Sequence, residues 1–326
     1  MRRQNLLLLF LLLWFSHSLA FTQTAEDFQR AKEFYETGNL AIQRGDFPSA
    51  IDNYDKAIAQ DPYVPEFYFN RSIAYRNLRK YDLAVNDLNR ILDLNPNLPI
   101  PLWAQVYFAR GTVLQEKGDY TESLDSLSKA ISLDSNNANF YTNRANTYFF
   151  LKKYDPAIDD YAKSLELQPL PLTFYNRARL YAELGKFDRA IDDYTKAIEL
   201  SPQFAEAFSN RGLVYQEKGR LDLALRDLTR AISLDNKDGT YYFNRANVYF
   251  QKGSYAASIL DYTKATEIYP LWAAPLRRRS SAYRKLGQIK LAEEDLRRVT
   301  KVEKENFDPA NRNEIINPKE NSKLRN

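Results

Sequence analysis

Cysteine is absent from the 326 residues, histidine occurs once, as His17, and the initiator is the only methionine. Without a thiol there is no disulfide framework, no thiolate nucleophile, no cysteine-ligated zinc or iron–sulfur cluster, and no attached haem. His17 lies at the end of the apolar leader, so its removal would leave no imidazole to act as base or ligand. The ten glycines form no phosphate-cradling loop and no nucleophile elbow. Adjacent carboxylates such as Asp159–Asp160, Asp192–Asp193 and Glu293–Glu294 point about 100° apart on a helix and do not converge on one reacting atom. The sequence predicts no enzyme, no cofactor and no metal site.

What is present is the composition of a folded soluble chain, 44% hydrophobic and 27% charged. Only one stretch is strongly apolar. Arg2 and Arg3 precede an unbroken run from Leu6 to Phe15, which leads to Ser16, His17, Ser18, Leu19 and Ala20. A basic start, a short apolar run and small residues at its end are the layout of an export signal, and the run is about half the length of a membrane span. The expectation is cleavage after Ala20 and an extracytoplasmic (periplasmic or secreted) protein. The alternative is an uncleaved leader that anchors the chain. Losing Arg2 and Arg3 lowers the formal charge from +4 to +2, a balance that points to no nucleic-acid partner.

The chain also repeats itself every 34 residues. Asn70-Arg71 opens the same pattern as Asn143-Arg144, Asn176-Arg177, Asn210-Arg211 and Asn244-Arg245. With drift, eight repeats cover 31–64, 65–98, 104–137, 138–170, 171–204, 205–238, 239–272 and 273–306. Within 171–204, Phe174, Ala178 and Tyr181 recur at helical spacing, Gly185 interrupts, and Ala190, Tyr194 and Ala197 recur again before Pro202. Each repeat therefore reads as a helical hairpin, with small residues where the helices approach and aromatics filling the space between. Asp155–Pro156 reads as a cap followed by a first-turn proline, and Phe47–Pro48 places a proline similarly.

Aromatic, small, aromatic, Gly, Ala, aromatic, Ala and Pro at fixed offsets resemble the tetratricopeptide repeat family. Phe34, Gly38, Gly45, Ala50, Tyr54, Ala57 and Pro62 fill these offsets in 31–64; Phe208, Gly212, Tyr215, Gly219, Ala224, Leu228 and Ala231 fill them in 205–238. Asn236, Ser135 and Lys304 replace the final proline, and Arg79 and Lys152 the inter-helix glycine. The resemblance implies an all-α, right-handed superhelical solenoid of stacked antiparallel hairpins, with a concave groove of first helices that binds peptides or partner proteins. The organisation is then a signal peptide at 1–20, a lead-in at 21–30, repeats at 31–98, a proline-rich insertion at 99–103, repeats at 104–306 and a polar tail at 307–326. Pro96, Pro99 and Pro101 read as unable to continue either flanking helix. The insertion is either a bulged connection in one rod or a joint, and Trp103 could pack in either.

Several residue sets are candidates for function. Arg71, Arg110, Arg144, Arg177, Arg211, Arg245 and Arg279 recur with Asp87, Asp160, Asp193, Asp227, Asp261 and Asp295, a ladder of ion pairs or, if unpaired, an anion-binding strip. Asn70, Asn143, Asn176, Asn210 and Asn244 could bond a peptide backbone, the role the resemblance assigns to this place, or bond between repeats. The family's chaperone-binding carboxylate clamp is incomplete: Asn39 and Asn70 are present, but Tyr35, Gln105 and Ala109 stand where its cations are needed. By resemblance, Tyr35, Phe69, Phe108, Tyr175 and Phe243 face the groove, with Phe149 and Phe250 nearby, as anchors for a partner or as packing against the next hairpin. Residues 273–306 carry ten basic and five acidic residues, led by Arg277, Arg278 and Arg279, which reads as a soluble cap or as a docking end. Two functions follow. One is an exported, non-enzymatic scaffold that holds a protein or peptide in its groove. The other is a membrane-tethered assembly factor acting through its edges and basic end.

Overall fold

The computed structural model describes residues 25–94 and 99–306; the expected signal peptide and the tail at 307–326 lie outside the described residues. Among these, all regular structure is helical. The helices are α1 (Ala25–Gln43), α2 (Phe47–Gln60), α3 (Pro65–Asn77), α4 (Tyr81–Leu94), α5 (Ile100–Lys117), α6 (Tyr120–Leu133), α7 (Ala138–Phe150) and α8 (Tyr154–Leu167). There follow α9 (Pro171–Glu183), α10 (Phe187–Leu200), α11 (Ala205–Glu217), α12 (Leu221–Leu234), α13 (Gly239–Gln251), α14 (Tyr255–Ile268), α15 (Ala273–Lys285) and α16 (Ile289–Asn306). The chain forms two compact lobes, one ending at Asp160 and the other starting at Tyr161.

In the first lobe α1 packs on α2, α3 on α4 and α5 on α6, and each hairpin also packs on the first helix of the next. The second lobe repeats this from α9 to α16. Close approach explains the small residues: a Cβ on Gly38 would lie 2.6 Å from the Tyr54 ring, and one on Gly111 2.6 Å from Leu127 Cγ. The large partners are shut away, with Tyr54, Leu88, Leu127, Tyr194, Leu228 and Tyr262 no more than 2% exposed. Burial of each such side chain stabilises the stack by about 2 kcal/mol.

The bend between paired helices needs one left-handed residue. Gly45, Gly118, Gly185, Gly219, Gly253 and Gly287 supply it, and Arg79 and Lys152 adopt the same conformation at φ 57°. Replacing glycine there keeps the turn at a local cost. Asp46 caps α2, accepting from the Ser49 amide at 3.2 Å, with Pro48 in the first turn. Asp155 is not a cap: α8 starts at Tyr154, so this carboxylate lies inside the first turn, where it favours the helix dipole.

The proline-rich insertion also differs from expectation. Residues 100–103 do not interrupt the helix but extend it, making α5 18 residues long against 13 for α3 and α7. Pro99 stands at the N-cap and Pro101 in the first turn, where an amide hydrogen has no intrahelical acceptor, so the ring is tolerated. Tyr68, Leu88, Ile91, Val106 and Val113 form one buried cluster between the flanking hairpins. Arg76 Nε donates to Glu116 at 2.9 Å across the same junction, and Trp103 stacks on Tyr107, with ring centroids 5.8 Å apart.

Candidate protein-interaction groove

The arginine ladder is structural. Arg71, Arg144, Arg177, Arg211, Arg245 and Arg279 each bind the aspartate sixteen residues on through two donors, at 2.6–3.1 Å. A two-pronged guanidinium–carboxylate pair fixes orientation as well as charge. Rings flank most of these cations, as Tyr68 and Tyr75 do at 5.5 and 5.7 Å from the Arg71 guanidinium. Hydrogen bonding to Asp160 holds Arg144 above its ordinary pKa. Arg110 is the exception: it has Ser126 where the others have aspartate, and it donates to that hydroxyl and to Asn89 Oδ1, the latter at 2.8 Å.

The asparagines are largely engaged between helices. Asn70 Nδ2 donates to the Tyr35 hydroxyl at 3.0 Å and to Asn39 Oδ1 at 2.8 Å. Asn210 donates to the Tyr175 hydroxyl at 2.9 Å, and Asn244 to Ser209 Oγ at 3.4 Å. Asn143 donates to the Asn139 carbonyl within α7, and Asn176 is buried at 8% exposure. Asn70, Asn210 and Asn244 thus make the inter-repeat bonds that were one of the two expectations for this row, since stacking of successive first helices brings acceptors within reach.

Most of the aromatic candidates are half-buried and contact neighbouring rings. Tyr35 meets Tyr54 and Phe67, Tyr175 meets Tyr194 and Phe204, and Phe243 meets Tyr262 and Trp272, with centroids 4.6–6.0 Å apart. Phe149 and Phe250 rest against Tyr154 and Tyr255. Burial raises the Tyr175 hydroxyl pKa. Phe69 and Phe108 differ, because both line an open hollow of about 370 Å³ formed by α3, α5 and α7.

Ile73, Ala109 and Thr112 complete the floor of this hollow, with Arg76, Gln105 and Asn143 at its margin. The spacing Phe69–Ile73 and Phe108–Thr112 puts each pair on one helix face, the periodic signal that could have identified Ile73 and Thr112. Phe108 is held by Phe140, with centroids 4.8 Å apart. The Thr112 hydroxyl donates to the Phe108 carbonyl at 2.9 Å, which leaves its oxygen lone pairs as the polar feature of the floor. Glu116 hydrogen-bonds Arg76 and raises its pKa, so this cation is already matched. The hollow suits an apolar side chain flanked by backbone donors.

At the C-terminal end, Arg277 pairs with Glu303 and Arg278 is exposed. Arg279 does not belong to the basic end: it is 7% exposed and bound to Asp295, a rung of the ladder. No described helix is long and apolar enough to cross a membrane.

Comparison with known proteins places the chain. Profiles described as TPR repeat or tetratricopeptide repeat match residues 35–99, 111–152, 138–169, 178–219, 214–253, 239–270 and 278–306. Human tetratricopeptide repeat protein 28 is 35% identical over 96 residues, which is 29% of this chain and 4% of that protein. Heat shock protein STI1 of Saccharomyces cerevisiae is 32% identical over 108 residues, 33% of this chain and 18% of that protein. The chain thus spans only a small part of these relatives. A crystal structure of the APC/C hetero-tetramer Cut9–Hcn1 superposes with a TM-score of 0.56 at 18% identity, over 78% of this chain and 50% of that one, a likeness of fold. Tetratricopeptide repeat proteins are protein–protein interaction scaffolds, and this chain belongs to the tetratricopeptide repeat family.

Proposed function

We propose that the protein is an exported, non-enzymatic scaffold that binds a protein or peptide in the hollow among α3, α5 and α7. The supporting observation is that Phe69 and Phe108, from two successive first helices, line this one hollow together. Apolar burial supplies the affinity, and the Thr112 oxygen gives a partner backbone a polar contact. Arg2, Arg3, the Leu6–Phe15 run and Ala20 support export.

Affinity purification of the tagged chain from its own cells, with brief crosslinking, should recover a partner crosslinked to residues of α3 and α5. Phe69→Ala with Phe108→Ala should weaken that partner by roughly 30-fold or more, the loss of about 2 kcal/mol typical of an interface anchor. Asn210→Ala should leave binding unchanged. Retention of the partner by the double variant would sink the groove reading, and an intact leader in the purified chain would sink export.

A further inference from the structure

The charge of α15 is all of one sign. It carries Arg277, Arg278, Arg279, Arg284 and Lys285 and no acid. At about 100° per residue, Arg277, Arg278, Ser281, Arg284 and Lys285 fall within an arc of about 120°, and all five are exposed. Pro275, Leu276, Arg279, Ser280 and Ala282 take the opposite side and are buried. One exposed cation is spent, since Arg277 pairs with Glu303 of α16. Among the described residues, Arg278, Arg284 and Lys285 take part in no ion pair.

The repeat explains why Arg278 is free. It stands where other repeats carry the asparagine row, one period after Asn244. Asn70, Asn210 and Asn244 each donate to a hydroxyl 35 residues back, on the preceding first helix. At that distance before Arg278 stands Phe243, whose ring has no oxygen to accept. The Arg278 charge instead opposes the burial that raises the Tyr262 pKa, which sets this cation beside the hairpin of α13 and α14.

The neighbouring surface adds no balancing acid. α13 has none, and at the places corresponding to Arg277, Ser281 and Arg284 it offers Phe243, Asn247 and Phe250, all half-buried. Asn247 Oδ1 accepts from the Tyr262 hydroxyl at 2.7 Å, leaving its Nδ2 donors for another acceptor. Asp238, at the N-cap of α13, is held by Thr240 and Tyr269, and Asp295 by Arg279 on the buried side. Glu206 and Glu217 lie on α11, with the whole of α13 between. A second copy would bring the same cations to the same face, and residues 307–326 hold four basic against three acidic residues, so neither supplies the missing charge. Rings and an amide beside the cations suit a peptide, which brings apolar side chains as well as carboxylates.

We propose that the face shared by α13 and α15 binds an acidic segment of a partner protein, its carboxylates on Arg278, Arg284 and Lys285 and an apolar side chain beside Phe250. The strip from Arg278 to Lys285 is about 10 Å long, which an extended chain spans in about three residues, so acids at alternate positions face both ends. The strip shares no residue with the hollow among α3, α5 and α7 and stands or falls independently of the groove reading.

The test uses the whole chain and three fluorescent peptides. All share a Gly/Ser-rich backbone and one central leucine, flanked by glutamates in the first, glutamines in the second and lysines in the third. Anisotropy near physiological salt should show the glutamate peptide binding at least tenfold more tightly than the glutamine peptide, and the preference should shrink as salt rises. Arg278→Glu with Arg284→Glu should weaken the glutamate peptide at least tenfold and improve the lysine peptide. Arg278→Gln with Arg284→Gln should weaken it too, without reversing the charge. Arg297→Glu with Arg298→Glu makes the same change of net charge on α16 and should leave binding nearly unchanged, as should Phe69→Ala with Phe108→Ala. Circular dichroism should show the charge variants folded, since all four arginines lie at the surface.

Equal affinity for the glutamate and glutamine peptides overturns the proposal, and so does an equal loss in the Arg297/Arg298 variant. No saturable binding of the glutamate peptide has the same meaning. Binding to phosphatidylglycerol–phosphatidylcholine vesicles, lost in the Arg278/Arg284 variant while the glutamate peptide does not bind, would assign the strip to a membrane instead.

Discussion

Asp227 is 2% exposed and receives two hydrogen bonds from Arg211, a cation enclosed by Phe208, Tyr215 and the Thr195 hydroxyl. Removing the carboxylate leaves a mostly buried guanidinium without its counter-charge, so Asp227→Ala should cost about 3 kcal/mol, read as a lower urea midpoint. Arg110 provides the converse experiment. Ser126→Asp restores the carboxylate present elsewhere in the ladder and should stabilise by about 1 kcal/mol; a destabilised variant would mean that Asn89, Ser126 and the Glu122 carboxylate 3.6 Å away already satisfy this cation. The ladder was legible in the sequence because a sixteen-residue offset between arginine and aspartate survives in any helical hairpin of fixed length. The asparagines were ambiguous because their partners, such as Tyr35 and Asn39 for Asn70, depend on the distance between first helices, which a one-dimensional pattern does not contain.

Helices and turns show the same division. The 34-residue period located the hairpins, since small residues and large apolar residues must alternate wherever two helices meet. It could not foresee that 100–103 would join α5, because a proline reads as a break until its position within the first turn is known. The inter-helix turns permit a direct measurement. Arg79 holds φ 57° in a turn where six other hairpins have glycine, so Arg79→Gly should raise stability by about 1 kcal/mol by relieving the left-handed conformation. A thermal melt should move upward, and an unchanged or lowered midpoint would show that contacts of the arginine outweigh the strain. The groove was legible only in part: Phe69 and Phe108 follow from the repeat, but the hollow they line depends on how successive hairpins pack, which a one-dimensional pattern does not contain.

For the molecule as a whole, the 23 tyrosines set an alkaline limit. Burial pushes the Tyr54 hydroxyl up to about 12 and raises those of Tyr194, Tyr241 and Tyr262 further still. A tyrosine in the unfolded chain titrates near pH 10. Because the folded pKa values are the higher ones, the stabilisation they carry is complete below about pH 10 and is lost progressively above it, for Tyr54 as pH rises through about 12. Melting temperature should therefore hold from neutrality to about pH 10 and fall steeply above it, with tyrosinate absorbance and helix loss rising together. Ionisation of all tyrosines ahead of helix loss would contradict this. The fixed reach of the ladder has a genetic consequence as well. Arg211, Arg245 and Arg279 each bond a threonine sixteen residues back and an aspartate sixteen residues forward. Duplication or loss of a whole period would reconnect equivalent partners, whereas a change of one residue moves the backward partner: Arg177, after a repeat one residue short, has Tyr161 at that offset. Adding or removing whole copies therefore keeps the ladder's contacts in register, while a change in the length of one copy does not.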